Sequence, residues 1–152
     1  MAQFVQWTQE IEVGIQEIDE QHKQLVRMLN DLFEVMIGKD PTRDEVARQT
    51  LTELLEYTRV HFAVEESLFR IFDYPDYARH KREHDRLKEE VREIEQRVHN
   101  GEKRIDSALL IFIKNWITTH IQEEDKRYSP FLLQQGVRKD WNKKSWLGRL
   151  WG

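Results

Sequence analysis

Apolar residues recur along most of this chain at alternating steps of three and four, which predicts helices that each bury one stripe. The first stripe runs Ile18, His22, Leu25, Leu29, Leu32 and Met36 and stops at Gly38, a C-terminal capping residue. The second follows Pro41, with Thr42-Arg43-Asp44-Glu45 as a capping box, and carries Leu51, Leu54, Thr58, His61, Glu65, Leu68 and Phe72. Tyr74-Pro75 breaks it. The third reads Tyr77, His80, His84, Leu87, Val91, Ile94 and Val98 and stops at Asn100-Gly101. The fourth begins near Ile105 and carries Leu109, Phe112, Trp116, His120 and the acidic group Glu123-Glu124-Asp125, with Pro130 expected to end or kink it. Residues 1–17 hold scattered apolar side chains around Gly14 with no stable period, and predict an ordered arm packed on the body.

Short connections favour antiparallel neighbours. The pattern therefore predicts an all-α fold: an up-down-up-down antiparallel four-helix bundle over residues 1–132, with residues 1–17 as its N-terminal arm and 133–152 as a C-terminal extension. In that topology His22 lies early in the first helix and His61 and Glu65 late in the second. His80 and His84 lie early in the third, and His120 late in the fourth. All of them fall at one end of the bundle.

Composition narrows the chemistry. The 152 residues suit one domain with a real core. Charged residues make up 34%, yet 39% are hydrophobic, so amphipathic helices rather than disorder follow. There is no cysteine, which excludes disulfides, zinc–thiolate sites and iron–sulfur clusters and leaves any metal to nitrogen and oxygen donors. The net charge of −4 argues against nucleic-acid binding by the body. Neither a signal peptide nor an apolar run of about 18 residues is visible, so a cytoplasmic monomer is expected.

Five of the six histidines lie on the buried stripes, and Glu65 lies there with them, where an unpartnered carboxylate is costly. Histidines four apart project from one helical face, one turn apart. Imidazole with carboxylate suits iron, zinc, copper or manganese. Seven donor residues exceed one tetrahedral zinc and suit two six-coordinate metals, which offer twelve positions. Five histidines, two carboxylates bridging through both oxygens and one shared oxo or hydroxo group fill eleven of these and leave one open. No histidine has Glu three residues before it, unlike the Glu-x-x-His pairs of ferritin-like di-iron bundles. Imidazole-rich ligation leaves the metals less electron-rich, which favours reversible binding of dioxygen over its cleavage. His99, beside Asn100-Gly101, is expected to be exposed.

Particular residues carry a family resemblance: Trp7, Val13-Gly14-Ile15, Ile18-Asp19-Glu20-Gln21-His22-Lys23, His61-Phe62 with Glu65, His80-Lys81-Arg82-Glu83-His84, and His120 through Asp125. Over about residues 1–132 the chain resembles the hemerythrins, and within them the single-domain bacteriohemerythrins. The resemblance implies two iron ions with a bridging oxo or hydroxo group. His80, His84 and His120 would hold one iron, His22 and His61 the other with the open position, and Glu65 and Asp125 would bridge them. It implies dioxygen as the ligand and a non-enzymatic role as carrier, store or local supplier to an oxygenase. An oxygen or redox sensor, and a di-iron oxidase, peroxidase or nitric-oxide-handling enzyme, are the competing readings. Phe62, Trp116, Ile117 and Ile121 flank the ligands and are candidates for an apolar oxygen pocket. One local difficulty stands out. Five residues turn an ideal helix about 140° past the starting face, so Glu124 rather than Asp125 would lie beneath His120. A π-bulge would restore Asp125, the preferred ligand, with Glu124 its rival.

The C-terminal extension has a different character. Residues 137–152 hold three of the five tryptophans, together with Arg138, Lys139, Lys143, Lys144 and Arg149 against Asp140 alone. A basic segment rich in tryptophan suits an anionic membrane surface or a protein partner.

Overall fold

A computed structural model describes residues 3–137 of the chain. The helices are α1 (Gln16–Ile37), α2 (Arg43–Ile71), α3 (Tyr77–His99) and a continuous fourth limb. That limb comprises α4 (Ser107–Thr119), a π-helical segment (His120–Asp125) and α5 (Lys126–Gln134). The described residues contain no strand. α1 packs on α2 and on α4, and α2 packs on α3, giving the antiparallel up-down-up-down bundle expected from the stripes. Their shared core includes Leu25, Leu29 and Leu32 of α1, Leu51, Leu54 and Leu55 of α2, Val91 of α3, and Leu109 and Ile113 of α4.

The arm is ordered by hydrogen bonds that its neighbours supply. The Asn30 side chain clasps Val5, accepting its N–H at 2.8 Å and donating to its carbonyl at 2.9 Å. Asp19, buried one turn before His22, accepts the N–H groups of Val13 at 2.8 Å and Gly14 at 3.1 Å. Gly14 sits at φ +88°, a conformation that turns both amides toward one carboxylate and that a Cβ would disfavour. The Ser129 hydroxyl donates to the Val13 carbonyl, tying the arm to α5 as well as to α1.

Several local expectations change. Thr42 does not cap α2: its backbone is not extended, and both its N–H and its hydroxyl bond to the Asp40 carboxylate at 2.8 and 2.7 Å. The fourth limb starts two residues later than expected, because Asp106 caps it by accepting the Leu109 N–H at 2.9 Å. Phe112 is 41% exposed, and the buried face of α4 is Leu109, Leu110, Ile113 and Ile117. This helix is apolar nearly all round, so its spacing admitted two faces. Pro130 lies inside α5 without ending it. The α-helical ladder restarts at Lys126, which places the proline just past a first turn and removes few bonds. Val137 is buried and donates its N–H to the Leu132 carbonyl, so the packed body continues beyond residue 132. The remainder of the basic extension, residues 138–152, lies outside the described residues.

Candidate metal centre

One end of the bundle gathers the seven expected donors into two interlocking groups. Glu65, His80, His84, His120 and Asp125 form one; His22, His61, Glu65 and Asp125 form the other. Within each group the donor atoms lie within 4.8 Å of one another, and every residue is buried. Glu65 and Asp125 belong to both. Asp125 divides its oxygens between the groups: Oδ2 lies 3.0 Å from His22 Nε2, and Oδ1 lies 3.1 Å from both His80 Nε2 and His120 Nε2. Glu65 Oε1 lies 3.1 Å from His61 Nε2 and 3.5 Å from His84 Nε2.

The π-helical segment explains how Asp125 arrives there. Between His120 and Asp125 the helix widens, and the five-residue step brings both side chains to one face. Glu124 turns aside and pairs with Arg79 at 3.1 Å. The widened helix thus places Asp125, and not Glu124, among the clustered donor atoms.

The five Nε2 atoms and four carboxylate oxygens of this set share a further property. None has a hydrogen-bond partner among the described residues, and all are buried. Nine converging, unsatisfied donor atoms are costly in a protein interior unless a cation serves them together. The residues therefore fit two metal ions, which Glu65 and Asp125 would share. Their ionisation shows a demand for positive charge at the cluster, which protons on two imidazoles meet in place of a metal. Burial lowers the His84 pKa, but its contacts with Glu65 and Glu66 prevail and push it up to about 9. Burial likewise opposes charge on His120, and the Asp125 carboxylate overcomes it and raises its pKa. Burial also raises the pKa of Asp125, yet His120, His22 and His80 hold it well below the ordinary carboxylate range. At His61 burial wins over Glu65 and the pKa falls, leaving a neutral imidazole suited to ligation.

Sequence periodicity did not reveal the residues that orient these ligands. The His61 Nδ1–H donates to Gln21 Oε1 at 2.6 Å, and the His84 Nδ1–H donates to Glu66 Oε2 at 3.1 Å. Each bond fixes a tautomer whose Nε2 faces the cluster. Aromatic rings hold the imidazoles in place. Phe62 stacks on His84 with centroids 3.9 Å apart, and Phe69 meets His80 edge-on at 4.8 Å. Tyr128, fully buried, lies 5.7 Å from the His80 ring; burial and the charges of Glu65 and Asp125 raise its pKa well above the usual phenol value.

A small cavity adjoins the cluster. Phe62, Trp116, Ile117 and Ile121 line it with Leu25, Thr58, His22, His61, His120 and Asp125. Its volume of about 10 Å³ matches the roughly 10–15 Å³ that admits one water-sized molecule. Both imidazoles of the four-residue group face it, whereas only His120 does so from the five-residue group's own histidines.

Comparison with known proteins adds a finding from outside the chain. The hemerythrin HHE cation binding domain family matches residues 13–132. The chain is 32% identical over 146 residues to a bacteriohemerythrin of Stenotrophomonas maltophilia, covering 94% of this chain and 92% of that protein. It is also 32% identical over 151 residues to a bacteriohemerythrin of Pseudomonas aeruginosa, covering 98% and 95% respectively. That second match takes in most of the basic extension, which the family's own span leaves out. Among solved structures, wild-type hemerythrin superposes with a TM-score of 0.79 at 29% identity, covering 85% of this chain and 98% of that one.

Proposed function

The chain belongs to the hemerythrin family, and on that premise we propose that it binds dioxygen reversibly at a non-haem di-iron centre. The observation that carries this reading is an asymmetry. One donor group has five residues and the other four, and the small apolar cavity lies against both histidines of the poorer group. His80, His84 and His120 would hold one iron, His22 and His61 the other, with Glu65 and Asp125 bridging. The donor chemistry alone accepts manganese as well, and the preference for iron rests on the family. When bound, the iron pair supplies the two electrons that dioxygen takes up and later returns.

The chain's own residues do the rest. Gln21 and Glu66 hold the Nδ1–H groups of His61 and His84, so that each Nε2 faces the metals. Phe62, Ile117 and Ile121, each no more than 3% exposed, shield the cavity and limit water at the open position. The absence of Glu-x-x-His pairs agrees with carriage, storage or local supply of dioxygen rather than catalysis. The basic, tryptophan-bearing residues 138–152 suit an anionic membrane surface as the place of delivery.

The test uses the protein loaded with ferrous iron. Exposure to air should produce a visible charge-transfer band that disappears when oxygen is removed and returns when it is restored. Rapid, irreversible conversion to the diferric form would reject carriage and favour redox sensing or catalysis.

A further inference from the structure

The opposite end of the bundle carries a much larger cavity, about 460 Å³, within the ~300–1,000 Å³ range of small-molecule sites. It lies where α1 and α3 end and α2 and α4 begin. Its apolar lining is Met36, Ala47, Val98 and Ile105, and its cations are Arg43, Arg48, Lys103 and Arg104. Two carboxylates also line it, but both are engaged: Asp106 caps α4, and Asp44 lies 3.5 Å from Arg43. Arg48, Lys103 and Arg104 form no ion pair among the described residues. This concentration of positive charge sits on a chain whose net charge is −4. The adjoining N-terminus of α2 lacks a side-chain cap, and its helix dipole adds to the same positive potential.

We propose that this cavity binds a small amphiphilic organic anion, an acidic head group on a short apolar body. Arg48, Lys103 and Arg104 take the head group through charge-assisted hydrogen bonds. Met36, Ala47, Val98 and Ile105 cover the body. A bare inorganic anion gains nothing from the apolar lining, and a neutral hydrocarbon gains nothing from the cations. The site is independent of the metal centre: it shares no residue with either donor group.

Calorimetric titration of the full iron-loaded chain tests this, with octanoate as probe and octanol and inorganic phosphate as its apolar and ionic halves. Octanoate should bind at one saturable site, and each half should bind at least roughly tenfold more weakly, a gap of about 1.4 kcal/mol. The double variant Arg48→Gln, Arg104→Gln should weaken octanoate binding by a similar factor. Both side chains are exposed, so its helicity and iron content should stay unchanged. Equal binding of octanol would overturn the proposal by showing simple apolar partition. Equal binding of phosphate would overturn it by showing a plain anion site. Undiminished octanoate binding in the double variant would place the ligand elsewhere, and no octanoate binding at all would reject the site.

Discussion

Exchanging charge for amide at two neighbouring positions tests the π-helical segment directly. Asp125→Asn removes a carboxylate that both donor groups share, leaving four residues in one and three in the other. Glu124→Gln instead breaks a partly exposed ion pair with Arg79, 3.1 Å long, between side chains 38% and 16% exposed. Such pairs contribute about 0–1 kcal/mol. For a domain of this size that is a Tm change of at most about 4 °C, the same with and without iron. Iron at a hundredfold excess over its Kd adds about 2.7 kcal/mol by mass action. That corresponds to a rise of roughly 5–11 °C in Tm at about 2–4 °C per kcal/mol. Loss of a direct ligand costs more than the 10–100-fold in affinity typical of residues behind the ligands. Asp125→Asn should therefore lose most of the iron-dependent rise, and its iron content should fall from two per chain to about one or fewer. Glu124→Gln should keep both. Calorimetry with and without iron, paired with elemental analysis of desalted protein, reads the two quantities. Retention of two irons by Asp125→Asn with loss from Glu124→Gln would refute the five-residue step.

Three further outcomes are expected. His61→Ala should abolish the visible band formed in air, whereas His99→Ala, on an exposed residue, should leave it intact; an unchanged band in the first variant removes His61 from the oxygen-binding group. Gly14→Ala should lower stability by about 1–2 kcal/mol, or roughly 2–8 °C in thermal melts followed by circular dichroism. The penalty is backbone strain at φ +88° alone, since the added Cβ meets Ser129 Oγ at an ordinary 3.9 Å, and an unaltered Tm would refute it. Deleting residues 138–152, a cut that spares the buried Val137, should remove binding to anionic vesicles while leaving oxygen binding in place. Equal vesicle binding by both forms would count against a membrane surface.

The buried clustering of these residues was legible in the sequence because helix packing brings side chains three and four apart to one face. His61 with Glu65, and His80 with His84, sit on stripes that hydrophobic residues already mark. Even the departure was legible: the awkward five-residue step from His120 to Asp125 called for a widened helix, and the helix is widened there. What escaped is what depends on contact between helices or on competition at a single turn. Gln21 reaches His61 across forty residues and Glu66 reaches His84 across eighteen, distances that no local period encodes. The Phe112 face was misread because α4 is apolar on nearly every side, so only packing decides which side is buried. Thr42 was misread as a cap because Asp40, two residues upstream, claims its hydroxyl first.

Because Asp125 lies in both donor groups, neither is complete until the fourth limb is in place. The first 124 residues carry four helical stripes nearly finished and the five clustered imidazoles, yet only one of the two carboxylates that the donor groups share. Assembly of the complete donor set is thereby deferred until the π-helical segment has docked beside the aromatic and aliphatic residues that wall it. A chain that lacks this segment, and with it His120 and Asp125, brings together at most three residues of the five-residue group and three of the four-residue group.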